Sequence, residues 1–296
     1  MLPVPHFQVV FTLPSELRAV ALRNDALVYD AMFDASANVL HELARERFDA
    51  VLGFTSVLHT WASDLRHHPH VHAIVTAGGL GAAGWTASRP EFLFPHRLLS
   101  ARFKQRLVAR LRDAFAAGEL QPPDDDPATL RRRLRDAARR RVRFVVHVEP
   151  PAGRGAALAA RYLARYARGV ALADARILAV SDTDVQIRVR GKVVTLPGVE
   201  FVRRFLLHVL PPDFRKIRHY GLYAPGPAAR RRDAAAVLLG TAPVAPVDEQ
   251  PNHAHATSPA TLAEPPCPCC GRPTRRHALP ATRPSIRWAP LPRGPP

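Results

Sequence analysis

The chain has 296 residues, with 42 lysines and arginines against 25 acidic residues and a formal net charge of +17. That length holds one domain of about 200 residues with appendages, and the basic excess calls for a polyanionic partner, nucleic acid before any other. No run of about 18 apolar residues occurs and no charged N-terminal region precedes a long apolar stretch, so neither a membrane span nor a secretory leader is expected; the reading is a soluble, cytoplasmic, nucleoid-associated protein.

In chain order, His6 to Leu13 (HFQVVFTL) reads as a strand that stops at Pro14, with a helix start at Ser15-Glu16. From Asp25 to about Phe48, apolar residues at Val28, Met32, Ala35, Val39 and Leu43 predict a helix of several turns that packs on the sheet. Phe54 to His59 is a short β-prone segment, Trp61 to His68 a polar connection, and His70 to Thr76 a second strand ended by Gly78-Gly79. Two strands with a short loop between them predict antiparallel pairing.

Asp126-Pro127 reads as a helix cap with proline at the first helical position, followed by an apolar stripe at Leu130, Leu134, Ala138 and Val142. The other faces carry eight arginines between Arg131 and Arg143. A solvated helix face is the plain account of such a run; with scarcely any acidic partners, phosphate contact through Arg131, Arg132, Arg135 and Arg139 is the stronger one. Phe144 to Val148 is a further strand, and Ala156 to Arg168 an alanine-rich helix. Strands follow at Arg176 to Val180, Asp184 to Arg190 and Val193 to Leu196, the last two joined as a hairpin across Gly191-Lys192. Val199 to Val209 predicts a helix. After Pro225 the composition turns to Pro, Ala, Thr and His without apolar periodicity, which predicts a catalytic domain over 1–225 and a disordered, proline-rich tail over 226–296. The fold class is α+β, built on an antiparallel sheet packed with helices.

His70-Val71-His72 lies on a predicted strand, so its two imidazoles share a face while Val71, Ala73 and Val75 look to the other layer. That arrangement suits a grip on one metal ion, and it equally fits a hydrogen-bonded histidine pair. His59, at the end of the preceding strand, comes near if the strands pair, which makes it the expected third ligand; Asp64, His67 and His68 are the alternatives. Tyr162 and Tyr166 are four apart on a predicted helix and share its face. Aromatics at that spacing are ordinarily core. Here Arg161, Arg165 and Arg168 are interleaved with them, poor company for a dry core and good company for phosphate. A phenol is a feeble nucleophile at neutral pH, and a divalent cation would help by polarising a scissile phosphate. Attack leaves a 5′-phosphotyrosine and a free 3′-OH, and the step is reversible without ATP because one phosphoester replaces another.

These residues resemble the HUH two-tyrosine transposases of the insertion sequence 91 type. The resemblance rests on Thr55 to Leu80 (TSVLHTWASDLRHHPHVHAIVTAGGL), Arg161 to Val170 (RYLARYARGV) and Phe201 to Tyr223 (FVRRFLLHVLPPDFRKIRHYGLY), and it extends over about Phe7 to Ala224. Val9 to Pro14 is similar to the first motif of rolling-circle replication initiators. The resemblance implies an HUH endonuclease-like fold, Mg²⁺ or Mn²⁺ on His70 and His72, nucleophiles at Tyr162 and Tyr166, and rolling-circle transposition through single-stranded transposon ends and target. A binding-only remnant, or an initiator or relaxase with the same chemistry, are the alternatives. The family also implies a cysteine-rich zinc-binding domain ahead of the first strand; this sequence starts where that domain would end, which reads as a late-start or truncated copy. Gly169 stands where the family has a basic residue. The tail Cys267-Pro-Cys-Cys270-Gly matches a family feature, but with only three cysteines, all inside four positions, and His277 as a fourth donor, zinc at Cys267 and Cys270 is not expected. The same cysteine count fits a reducing compartment.

Overall fold

The computed structural model describes residues 1–139, 142–151 and 172–240. Its main element is a six-stranded antiparallel sheet. Strands β1 (His6–Thr12), β2 (Ala50–Trp61), β3 (His67–Gly81), β4 (Gly84–Ala87), β5 (Val146–Glu149) and β9 (Ile217–Gly221) form it in the order β5-β1-β3-β2-β9, with β4 attached to β3. A second sheet joins β6 (Ile177–Val180), β7 (Asp184–Val189) and β8 (Lys192–Pro197). The β7–β8 turn has positive φ at both Arg190 (49°) and Gly191 (82°), the twist a tight two-residue hairpin requires.

Alternation along the central strands sorts their side chains to two faces. Phe7, Val9 and Phe11 of β1, Phe54 and Leu58 of β2 and Val71, Ala73 and Val75 of β3 are buried in one apolar cluster. Against this face lie α2 (Asp25–Phe48) and α3 (His96–Ala116), after a single 3-10 turn at Ser15–Leu17 and the short α1 (Arg18–Arg23). On α2, Val28, Met32, Val39, Leu40 and Leu43 supply the apolar stripe. On α3 it is Leu99, Phe103, Leu107 and Leu111. Arg102 holds Glu46 through two hydrogen bonds of 2.7 and 2.8 Å, and Arg106 bonds Glu42, so the polar flanks of the two helices are also paired. Helix α4 (Pro127–Ala138) starts as its sequence dictates: Asp126 accepts from the backbone N–H of Ala128 and Thr129. Leu130, Leu134 and Ala137 are its buried face. Helix α5 (Gly198–Leu206) follows β8 directly.

Several expectations need correction. β2 and β3 are longer than expected: pairing across the sheet extends β2 back to Ala50 and on to Trp61, and β3 back to His67 and on to Gly81. Helix α3 falls in a stretch for which no element is predicted. The arginine helix ends at Ala138, before Val142. Past Pro225 the chain forms α6 (Ala228–Leu238), which buries Ala235 against Leu2, Val4, Leu222 and Tyr223. Ordered chain therefore continues to Gly240; residues 241–296, with Cys267 and Cys270, lie outside the described residues.

Candidate metal centre

The opposite face of the sheet carries polar side chains. His70 and His72 sit two apart on β3, and pairing places His59 directly opposite His70, with Val57 and Val10 flanking His72 on either side. The three imidazoles converge: ring centroids are 5.4 Å apart for His59 and His70, 4.7 Å for His59 and His72, and 4.8 Å for His70 and His72. One nitrogen from each falls within 4.8 Å of the others. Among the described residues this is the one cluster of three or more His, Cys, Asp or Glu spaced to hold a metal ion.

The surroundings fix which nitrogens face inward. His70 Nδ1–H donates to the His68 carbonyl at 2.7 Å, leaving the lone pair on Nε2. His59 is stacked on Trp61, centroids 4.7 Å apart and planes at 15°, and the Lys216 ammonium stands 5.4 Å above the Trp61 ring. Burial pushes His70 down to about 4 and His72 down to about 2, its effect on His72 reinforced by the neighbouring His70 and His59. All else equal, both rings are neutral at physiological pH, the form that ligates metal.

Gln8 supplies a test of fit. Its side-chain Nε2 stands 3.0 Å from Nδ1 of His72, while its Oε1 is buried with no hydrogen-bond partner. A bare buried acceptor costs ~1–3 kcal/mol, and the two ends of an amide exchange by a half-turn. Turned over, Oε1 accepts from His72 Nδ1–H and the His72 lone pair lies on Nε2, as it does in His70. The residues thus fit a bound cation, since the turned amide accepts from the His72 tautomer that a cation requires.

The other predicted ligands are engaged elsewhere. Asp64 bonds Arg66 at 2.5 Å, His67 bonds the Tyr29 hydroxyl at 2.8 Å, and His68 lies 2.9 Å from the Arg18 guanidinium. The β2–β3 connection that carries Asp64 is held by α5 and the turn after it. Arg204 donates to Asp64 O at 3.1 Å and His208 Nε2–H to Leu65 O at 2.9 Å. Tyr162, Tyr166, Arg161 and Arg165 lie outside the described residues. Of the α4 arginines, Arg131 stacks over Phe115 at 5.6 Å and Arg139 pairs with Asp136 at 3.3 Å, whereas Arg132 and Arg135 are exposed. Gln8 was missed from sequence, although a lone amide inside an otherwise apolar strand was a signal.

Residues 53–232, which include all three histidines, match the family model described as "Putative transposase". The chain belongs to this transposase family. It is also similar to "Putative transposase y4qJ" of Sinorhizobium fredii, 38% identical over 270 residues that make up 84% of this chain and 66% of that protein. A second relative, "Transposase for insertion sequence element IS801" of Pseudomonas savastanoi pv. phaseolicola, is 42% identical over 80 residues, 27% of this chain and 19% of its own length. The chain therefore spans just under two thirds of the first curated transposase and about a fifth of the second. No helix among the described residues is long and apolar enough to cross a membrane.

Proposed function

We propose that this transposase chain nicks and rejoins single-stranded DNA through 5′-phosphotyrosine intermediates, with His59, His70 and His72 holding one divalent cation. The observation that carries the reading is the convergence of three imidazole nitrogens within 4.8 Å on one sheet face. Membership of a transposase family supports DNA as the substrate, and a cytoplasmic, nucleoid-associated site of action belongs to the same proposal. Imidazole nitrogen suits a transition-metal ion better than the oxygen-seeking Mg²⁺, so Mn²⁺ is the better match of the two. Bound there, the cation would polarise the scissile phosphate and offset its developing charge.

The chain's own residues do the rest. The Tyr162 hydroxyl oxygen attacks phosphorus and loses its proton to solvent; the bond from phosphorus to the 3′ oxygen breaks, and that oxygen takes a proton from solvent and leaves as a 3′-OH. Tyr166 serves as the second nucleophile, so one strand stays attached while another is cut. Attack by a 3′-OH on either phosphotyrosine reverses the step and joins strands. Arg161 and Arg165, together with Arg131, Arg132, Arg135 and Arg139, neutralise backbone phosphates.

The test is denaturing electrophoresis of the protein after incubation with Mn²⁺ and a labelled single-stranded oligonucleotide. A covalent adduct that EDTA prevents is expected, absent from the Tyr162→Phe, Tyr166→Phe double variant. DNA binding without adduct on either tyrosine would leave a binding-only remnant and end the catalytic reading.

A further inference from the structure

A groove stands apart from the histidines. It runs between α3 and the 142–146 segment, open to the surface, with a volume of about 930 Å³. Its floor is apolar, with Val108, Phe144 and Val146, and its rim is basic, with Arg97, Arg112 and Arg143. No described carboxylate lines it.

Charges on α3 are sorted by direction. Toward α2, Arg102 pairs with Glu46 at 2.7 Å and Arg106 with Glu42; near the helix end Arg110 approaches Glu119 at 3.8 Å. On the groove side, among the described residues, Arg97, Arg112 and Arg143 make no ion pair. Arg97 and Arg112 are exposed and recur on one helix stripe with Ala101, Lys104 and Val108. At a rise of 1.5 Å per residue they stand about 22 Å apart. Lys104 shapes the wall rather than the rim charge: its ammonium donates to the carbonyls of Val142, at 2.9 Å, and Arg139.

The groove lies on the helix-covered side of β5 and the metal centre on the other face of the sheet, and the β5 edge joins the two. Val10 of β1 lies opposite His72 on one side and His147 of β5 on the other. Directly opposed residues face the same way, so His147 shares the His72 face, two strand spacings or roughly 10 Å away. His96, which lines the groove from the first turn of α3, has its ring 6.4 Å from that of His147.

We propose that this groove is the track for the backbone of a single DNA strand that passes round the β5 edge to the histidine centre, with phosphates on Arg97, Arg112 and Arg143 and sugars and bases over the apolar floor. The proposal rests on the DNA-processing reading and assigns its strand path. A basic rim over an apolar floor is the form single-strand binders take, and unpaired guanidinium groups along one line are what a phosphate chain requires.

The experiment is fluorescence anisotropy of the full chain with a labelled single-stranded oligonucleotide of about 20 nucleotides, longer than the site of most single-strand binders, titrated across salt. Two charge-matched double variants on the same helix are compared: Arg97→Gln with Arg112→Gln, and Arg102→Gln with Arg106→Gln. For every phosphate that a variant no longer neutralises, the slope of log K against log salt flattens by about 0.7. The groove double should therefore flatten it by about 1.4 and bind several-fold more weakly near 0.15 M salt, while the other double keeps the wild-type slope. Circular dichroism melts confirm that both are folded. Equal slopes in both doubles, with wild type binding and forming adduct, overturn the groove alone. A flattened slope in the groove double without adduct keeps the groove and overturns the chemistry; wild-type protein that binds no strand overturns both.

Discussion

Replacing Gln8 by leucine tests how the metal centre is held. The amide stands 3.0 Å from His72 Nδ1, and both residues are 8% exposed. In the metal-free protein His72 can place its proton on either nitrogen. A cation on Nε2 forces the proton to Nδ1, where leucine offers no acceptor. The penalty of a bare buried donor, ~1–3 kcal/mol, thus falls on the loaded state and weakens binding by about 5- to 150-fold, at 1.4 kcal/mol per decade. That range brackets the usual effect of removing an outer-shell partner from a ligating histidine. Gln8→Glu has the opposite sign, because a carboxylate accepts more strongly and raises the basicity of the ring. Isothermal titration with Mn²⁺ at neutral pH measures both, and thermal melts of the metal-free proteins report the folding cost separately. Mn²⁺ affinity for Gln8→Leu equal to wild type would refute the reasoning.

Two further predictions concern the scaffold. Gly221 closes β9 at φ +58°, and a Cβ there would meet the Leu52 carbonyl oxygen at 1.8 Å. Gly221→Ala should cost more than about 2 kcal/mol, since left-handed backbone alone costs ~1–2; Gly226→Ala, with φ +76° and nothing within 4 Å, should lose only that smaller amount in a denaturant melt. His6 donates or accepts at 2.7 Å with the Tyr223 hydroxyl, and burial pushes it down to about 4 from 6.5. Between those values the unfolded chain binds a proton that folded His6 refuses, so stability falls as pH drops through the window, by at most about 1.4 kcal/mol per pH unit from this residue. Urea titrations from pH 4 to 7 should show a shallower pH dependence in His6→Gln than in wild type, and parallel curves would contradict the assignment.

Much of the frame was legible because local signals and burial agree. Asp25 to Phe48 repeats its apolar residues at helical spacing, and Asp126-Pro127 is a cap that the backbone confirms with two hydrogen bonds. His59 was reachable from the short β2–β3 connection alone, because antiparallel pairing sets it opposite His70. Helix α3 escaped notice although Leu99, Phe103, Leu107 and Leu111 recur every four residues; it has no side-chain N-cap, and its basic residues mask the stripe. The extension of β2 and β3 is a tertiary effect: both are interior strands whose ladder bonds carry them to Trp61 and Gly81. The sorting of paired from unpaired arginines on α3 depends on where Glu42 and Glu46 of α2 come to lie, which no local pattern encodes.

The most direct measurement of the central claim is electron–nuclear double resonance on the protein loaded with one equivalent of Mn²⁺. Coupling to three imidazole nitrogens is predicted, one for each histidine of the cluster, with one coupling abolished in each of His59→Ala, His70→Ala and His72→Ala. A spectrum of fully hydrated Mn²⁺, or couplings that the three substitutions leave untouched, would contradict it.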